Sequence, residues 1–419
     1  MRIMEIQRQF YLDELIRKQH NGFIKVITGL RRCGKSYLLR TIFRNYLRDH
    51  GVLPERIVEM AFDERDNEKY RDPDTFYEFA KKKLKQHSDS IFLLDEIQLL
   101  DDFESVLNGL LGKNAEIYAT GSNAKFLSKD IITEFRGRGD EIHMTPLSFA
   151  EYYAAFPGDR TSRFQEYMLY GGLPLVALSA LPEDKIGILS SLYTETYLRD
   201  IVGRHKIRKV AELGNLLDIL SSNIGNMVNP DKLKKTFLSV KKSKISVETI
   251  IKYISYLEDA YLLEEAKRYD VKGNAYMETP VKYYYSDLGL RNARLNFRQI
   301  EETHSMENII YNELRHRKFN VDIGQVSVNE KNANGTYSRK QLEVDFVANK
   351  GSKRYYIQSA YLIPDEEKRE QEIRSLLKIG DSFKKIVITS HAPAPLYDNN
   401  GILTMSIYDF LLNTDSLDL

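Results

Sequence analysis

Apolar residues come in two rhythms along this chain, and the changes of rhythm divide it. Through roughly the first 150 residues, short apolar runs ("FIKVIT", "RIVEMAF", "IFLLDEI", "EIYATGS", "EIHMTPLS") alternate with stretches of helical spacing ("SYLLRTIFRNYL", "TFYEFAKKKL"). Strands alternating with helices in this way predict crossover connections and a mostly parallel α/β sheet. A turn-rich break, "AAFPGDR", precedes a helical stretch whose "YGGLPLV" reads as a bend. From about 190 to 270 the pattern is helical. In "VETIIKYISYLEDAYLL", Ile250, Ile254 and Leu257 share a face, Ser246 is placed to cap, and Glu248 suits the first turn. After "PVKYYYSD" strand-like runs return ("QLEVDFVAN", "RYYIQSAYLI", "KKIVITS"), with a helical "SMENIIYNELRHR" ahead of them. Three segments follow, with expected boundaries at residues 1–155, 156–280 and 281–419.

Composition narrows the class. A chain of 419 residues exceeds one ordinary core, so several domains are expected. With 61 lysines and arginines against 60 acids, whole-chain charge argues for no polyanionic partner, and any basic surface must be local. One cysteine excludes an internal disulfide and fits a reducing compartment. The start, "MRIMEIQRQF", lacks the apolar core of a signal peptide, and no run approaches the roughly 20 residues of a membrane span. A cytoplasmic protein without membrane association is expected.

The stretch "GLRRCGKS" changes the picture most. Gly29, Gly34, Lys35 and Ser36 fit G-x-x-x-x-G-K-[ST], with a predicted strand before and a predicted helix after, the context the motif requires. Glycines let backbone N–H groups converge on phosphate oxygens at a helix N-terminus, a lysine ammonium neutralises the β and γ phosphates, and a serine hydroxyl ligates magnesium. ATP and Mg2+ are therefore the expected ligands, with Gly29, Arg31, Arg32, Cys33, Gly34, Lys35, Ser36 and Tyr37 forming the phosphate cradle. Cys33, inside that cradle, is expected to report on it: alkylation should block nucleotide binding. A glycine turn before an ordinary helix is the plain alternative.

A magnesium-nucleotide site also needs a carboxylate facing the metal. "IFLLDEI" ends an apolar strand in Asp95, suited to the metal's water shell, followed by Glu96, placed to deprotonate an attacking water. Taken alone, the two acids simply open a loop. "EIYATGSN" ends a second apolar strand, so Ser122 or Asn123 is available to a γ-phosphate or its attacking water. In "FRGRGDEIHM", Arg136 and Arg138 sit between glycines, where an arginine can reach a phosphate in its own subunit or a neighbour's; this leaves a homo-oligomer open. A solvated loop is the bland reading of either arginine.

These motifs, with "LLDEIQ" at 93–98, "TGSN" at 120–123, "GRGDEIHMTPLSFAEY" at 137–152 and "YGGLP" at 170–174, resemble prokaryotic ATP-binding proteins of the AAA-plus type. In that family an ATPase domain precedes a winged-helix segment and a C-terminal domain of unknown function related to restriction-endonuclease folds. The resemblance implies that the "ATGSN" strand lies between the cradle strand and the "LLDE" strand, bringing Asn123 near Glu96. It also implies that Arg138 is the phosphate-sensing or finger arginine.

Two later features bear on partners. Between Arg199 and Lys244 the chain has 11 basic residues against four acids, a stripe of the kind that binds DNA phosphates. The helix that follows lies where a winged helix would read DNA, although such a module also docks proteins, and a lysine-rich face is often merely solvated. Endonuclease-like folds hold magnesium with a helix glutamate, a strand aspartate, and a glutamate two residues before a lysine. Glu307 and Asp345 fill the first two places, but Gln358 and Ala360 stand in the others, so a nuclease-like scaffold without nuclease activity is expected. Ordinary surface carboxylates are the alternative for both acids.

The whole reads as a P-loop α/β ATPase domain of AAA-plus type, a winged-helix region and a small restriction-endonuclease-like α/β domain. Its expected activity is Mg-dependent ATP hydrolysis coupled to nucleic acid. The rival is a slow ATPase switch that docks protein partners.

Overall fold

Strand β1 (Ile24–Gly29) is buried at all six positions and β3 (Ile91–Asp95) at all five, as expected of parallel strands covered on both faces. They belong to a five-stranded sheet with β2 (Ile57–Ala61), β4 (Glu116–Thr120) and β5 (Gly139–Met144), in the order β2-β3-β4-β1-β5 with every pairing parallel. Thus β4 lies between β1 and β3, the order the resemblance implies. The helices Pro73–Gln86 and Phe103–Leu111 bring Phe76, Ala80, Leu84, Val106, Leu107 and Leu110 into one core with Val26, Val58, Phe92 and Ile117. Asp72 caps the first of these helices by accepting from the Thr75 amide at 2.8 Å, with Pro73 in the first turn.

The computed structural model describes residues 6–121, 135, 137–239, 244–331 and 337–419. Two compact units emerge: Met1–Leu147 with Leu173–Leu175 and Asp259–Tyr261, and Ser148–Gly172 with Val176–Glu258 and Leu262–Leu419. Among the described residues no helix is long and apolar enough to cross a membrane.

The second unit joins a helical part to an eight-stranded mixed sheet of order β12-β13-β11-β10-β9-β8-β6-β7. Its strands are β6 (Leu263–Asp270), β7 (Ala275–Tyr285), β8 (Asn320–Lys331), β9 (Tyr337–Lys350), β10 (Lys353–Ala360), β11 (Lys384–Thr389), β12 (Leu396–Tyr397) and β13 (Ile402–Ser406). The expected boundary at 280/281 falls inside β7, whose hairpin with β6 belongs to this same sheet. The stretch read as helical to 270 stops at Asp259: Tyr261 adopts a left-handed conformation (φ 55°), Leu262 donates back to the Leu257 carbonyl at 2.9 Å, and β6 begins. Helical spacing masked the change, because in "YLLEEAKRYD" the apolar residues Leu263, Ala266 and Tyr269 recur every third position instead of alternating.

Three helices, Val210–Ser222, Pro230–Ser239 and Val247–Asp259, precede the β6–β7 hairpin, and Val228 forms an isolated antiparallel bridge with Val281 of β7. Ser246 accepts from the Thr249 amide at 3.1 Å, and Ile250, Tyr253, Ile254 and Leu257 are buried, as the periodicity predicts.

Candidate functional site

Gly29 ends β1 with φ 131°, and a Cβ there would lie 2.0 Å from the Met144 carbonyl oxygen of β5, so no side chain fits. The chain then turns through Arg32 (φ 68°) to Gly34 (φ 106°), which precedes the helix beginning at Lys35. From Lys35 the helical backbone runs on through a π-helical stretch, Leu38–Phe43, and a second α segment, Arg44–Asp49. The first-turn amides of such a helix have no intrahelical acceptor and point out of its end. Arg8 braces the loop from outside, donating to the carbonyls of Cys33 (3.0 Å) and Thr145 (2.7 Å). Nothing in the local sequence announces that brace.

Lys35 is 5% exposed, and its ammonium donates to the carbonyls of Gly29 and Leu30, each at 3.0 Å. Among the described residues no carboxylate pairs with it. A buried cation compensated only by carbonyl dipoles is a costly arrangement that an anion at the loop relieves. Arg31 is half-buried, and Arg32 and Tyr37 are exposed on the flanks of the turn. Cys33 is fully buried, with its thiol 3.5 Å from the Met144 carbonyl. Its side chain therefore fills the core beneath the cradle, so alkylation, expected to block nucleotide binding, would act by displacing the loop from that packing.

The acids meet the cradle at the C-terminal edge of the sheet. Asp95 and Thr120 end neighbouring strands, and the Thr120 hydroxyl donates to Asp95 Oδ1 while accepting the Glu96 amide at 3.1 Å. Ser36, from the cradle helix, is among the groups that act on the Asp95 carboxylate, and an Arg40 guanidinium nitrogen lies 4.0 Å from its Oδ2. Burial raises the pKa of Asp95; the Thr120 and Ser36 donors and Arg40 pull it down, and Glu96 adds to the rise. Glu96 takes a left-handed backbone (φ 53°), an uncommon conformation for a residue with a Cβ, and its carboxylate accepts from Gln98. Ser36 and Asp95 together present a hydroxyl and a carboxylate oxygen, the hard donors that Mg2+ takes, beside an ammonium suited to phosphate. Both ligands fit these residues.

The structure brings Gly29, Gly34, Lys35, Ser36, Asp95 and Glu96 to one edge and leaves Arg138 elsewhere. Ser122, Asn123 and Arg136 lie outside the described residues. Arg138 immediately precedes β5, its carbonyl accepting the Ile24 amide at 2.9 Å, so it sits at the start of β1, whereas the cradle lies at the end. The six residues between span about 17 Å at roughly 3.3 Å each, farther than an arginine side chain reaches. Thr120, which opens "TGSN" but was given no role there, and Arg40, outside every motif, are further residues of the site.

In the second unit, the basic segment is unevenly used. Arg204 pairs with Asp200 (2.6 Å) and Lys209 with Glu212 (3.0 Å), whereas Lys232, Lys234 and Lys235 are exposed on the Pro230–Ser239 helix and Lys244 beyond it. Lys241 and Lys242 lie outside the described residues. The next helix, expected to read DNA, exposes Glu248, Ile251 and Lys252, which is not a cationic face.

Farther on, Glu307, Glu343 and Asp345 gather around Lys282 of β7. Its ammonium lies 2.8 Å from Glu307 and 2.7 Å from Glu343, and the Tyr284 hydroxyl donates to Glu307 at 2.6 Å. Burial alone would lower the Lys282 pKa, but the charges of Glu307, Asp345 and Glu343 outweigh it and push it up. Burial and the neighbouring Glu307 hold Asp345 well above the usual carboxylate range; it accepts the Ser359 amide at 2.7 Å. Glu307 is also buried, but Lys282, His304 and Tyr284 lower its pKa overall. The Gln358 side-chain oxygen is buried without a partner among the described residues. A divalent ion does not fit here as the groups stand, because an ammonium already bonds the carboxylates.

Comparison with known proteins agrees with the first unit's architecture. Residues 21–153 match a family model described as an AAA domain, and residues 161–301 match a domain of unknown function, DUF8612. An uncharacterized protein of Haemophilus influenzae is 34% identical over 417 residues, 97% of this chain and 98% of that one. An uncharacterized protein of Methanocaldococcus jannaschii is 30% identical over 378 residues, 86% of this chain and 79% of its own length. The solved structure of the Aeropyrum pernix ORC1 protein in complex with DNA aligns with 69% of this chain and 92% of that one, at 12% identity and a TM-score of 0.28.

Proposed function

The chain belongs to one family with the Haemophilus influenzae and Methanocaldococcus jannaschii proteins, and from that premise we propose that it is a magnesium-dependent ATP hydrolase whose second unit engages nucleic acid. The observation that carries the first half is the buried Lys35 ammonium, compensated only by two carbonyls, beside the linked Ser36, Asp95 and Thr120.

In this reading the amides of the Gly34–Tyr37 turn and the Lys35 ammonium grip the β and γ phosphates, and Ser36 and Asp95 hold Mg2+. Magnesium, when bound, supplies positive charge against the phosphate oxygens. Glu96 accepts a proton from water; the water oxygen bonds to the γ-phosphorus as the bond to the β,γ-bridging oxygen breaks, and ADP leaves with that electron pair. Thr120 positions both acids, one through its carboxylate and one through its amide. Asn123 orients the water, and Arg138 acts on a neighbouring subunit's nucleotide.

Lys35→Ala abolishes ATP binding, and Glu96→Gln keeps it while losing turnover by about 100-fold or more. Titration of a fluorescent ATP analogue and single-turnover hydrolysis measure both. A Glu96→Gln variant turning over at the parent rate removes the general-base role.

Exposed Lys232, Lys234, Lys235 and Lys244 favour nucleic acid for the second unit. Exposed Leu238 and Ile251 favour the alternative, a protein-docking switch. DNA stimulation of ATP hydrolysis that disappears at high salt selects the first, and an unchanged rate selects the second. The Lys282 ammonium among Glu307, Glu343 and Asp345, with Gln358 and Ala360 on either side of the Ser359 amide that bonds Asp345, supports a nuclease-like scaffold without nuclease activity.

A further inference from the structure

We propose that Arg40 is a second cation of the chain's own at the γ-phosphate, beside Lys35, and that Glu64 holds it back. The proposal rests on the ATP-hydrolase reading above.

Transfer of a phosphoryl group spreads negative charge over its equatorial oxygens and the leaving oxygen, and a guanidinium placed there lowers the barrier. Arg138 starts at the wrong end of β1 to serve its own subunit. Arg40 starts at the right one. It projects from the helix that begins with Lys35 and Ser36, and its guanidinium stands 4.0 Å from Asp95 Oδ2. The helix is widened to π geometry over Leu38–Phe43, the stretch that carries Arg40; single π turns inside α-helices recur at functional sites.

Glu64 sets the second half of the proposal. Its carboxylate is 2.9 Å from Arg40, and the pair is partly exposed, with 34% of the arginine side chain and 50% of the glutamate side chain accessible. An exposed pair of this kind is weak, and a triphosphate with its higher charge outcompetes a single carboxylate. The turn bearing Glu64 is fixed to the same strand end: the Phe62 amide donates to the Asp95 carbonyl at 3.1 Å, and Asn67 donates to the Ala61 carbonyl at 2.9 Å. Glu64 therefore sits within one side-chain length of the Asp95 strand end. Arg44, one turn farther along, pairs with Glu59 at 3.5 Å and is not in the set. During the step Arg40 keeps all its protons: water's oxygen bonds to phosphorus, the bridging bond breaks, the proton goes to Glu96, and Arg40 only faces the oxygens that gain charge.

The test uses the full chain with Arg40→Ala, Arg40→Lys and Glu64→Ala, each checked for parent-like thermal unfolding. Calorimetry in Mg2+ measures affinity for ATP and for ADP with aluminium fluoride, which mimics the transferring phosphoryl group, alongside single-turnover hydrolysis. Arg40→Ala binds ATP within a few-fold of the parent but loses on the order of a hundredfold in affinity for ADP–aluminium fluoride and in rate. Arg40→Lys recovers part of both, and Glu64→Ala binds the mimic several-fold more tightly than the parent. Parent-like affinity for the mimic in Arg40→Ala, or a Glu64→Ala loss as large as that of Arg40→Ala, overturns the proposal while leaving the hydrolase reading standing. A parent chain that binds neither ATP nor the mimic removes the hydrolase reading and this proposal with it.

Discussion

Thr120 shows how much of the site depends on a single hydroxyl between neighbouring strand ends. It donates to the buried Asp95 carboxylate and accepts the amide of Glu96, whose left-handed backbone would otherwise lack this restraint. Thr120→Val keeps the side chain's shape and removes both bonds. Leaving buried polar groups without partners costs about 1–3 kcal/mol each, so chemical denaturation should show a loss in that range, and single-turnover hydrolysis should fall more steeply than ATP affinity. Equal loss in affinity and rate would instead assign Thr120 to binding. Lys35, Ser36, Asp95 and Glu96 were legible in the sequence because their chemistry is written in contiguous motifs. Thr120, Arg40 and Arg8 were not, because each acts through a partner fixed by strand order and register. Adjacency to the cradle in sequence does not say which way a side chain points, and that of Cys33 points into the core.

At the level of elements, the first unit's strands and helices followed from apolar spacing, since a parallel sheet covered on both faces demands continuous apolar runs. The second unit was harder to read. The strand β8, with buried Val321, Ile323, Val326 and Val328, alternates in the β rhythm apart from a bulge between Asp322 and Gly324, and its signal was available in "NVDIGQVSVNE". The β6 strand was hidden because it follows a helix with only a three-residue turn between. The basic stripe was visible as composition, but its distribution was not: the lysines of the Pro230–Ser239 helix are exposed, whereas Arg204 and Lys209 are paired with acids. In the proposed reading, the lysine helix is the element that meets nucleic acid. Replacing Lys234 and Lys235 together by alanine should reduce the slope of log affinity against log salt for duplex DNA by about 2 and leave ATP affinity unchanged. A filter-binding series across salt concentrations measures it, and an unaltered slope excludes that helix from the interface.

For the molecule as a whole, the sequence suggested three parts, and the fold has two units because the β6–β7 hairpin belongs to the same sheet as β8–β13. The pairing of β6 with β8, across β7, two helices and 49 residues of chain, is not visible in local periodicity. In the buried ion cluster of that sheet, Lys282 compensates the neighbouring carboxylates. Lys282→Met leaves Glu307 and Asp345 buried beside each other without their cation, a loss of about 3–5 kcal/mol at neutral pH. The sign with pH follows from Glu307. With Lys282 present its pKa is lowered, so its contribution is present above about pH 4.3 and fades as pH falls through the folded value. Without Lys282, burial raises that pKa, and the penalty is largest at neutral pH and shrinks on acidification. Urea unfolding of both proteins at pH 7 and pH 4.5 should therefore show the gap closing at the lower pH; a gap that is constant or widens contradicts the role given to Lys282.

The central claim is that the loop after β1 grips a triphosphate through its amides and Lys35, with magnesium held by Ser36 and Asp95. Isothermal titration of ATP into the full chain, with Mg2+ and then with EDTA, tests it most directly against Lys35→Ala and Asp95→Asn. Saturable heat is expected for the parent in Mg2+, none for Lys35→Ala, and a response to Mg2+ that Asp95→Asn largely removes. Saturable heat that survives Lys35→Ala unchanged, or no heat from the parent at all, contradicts it.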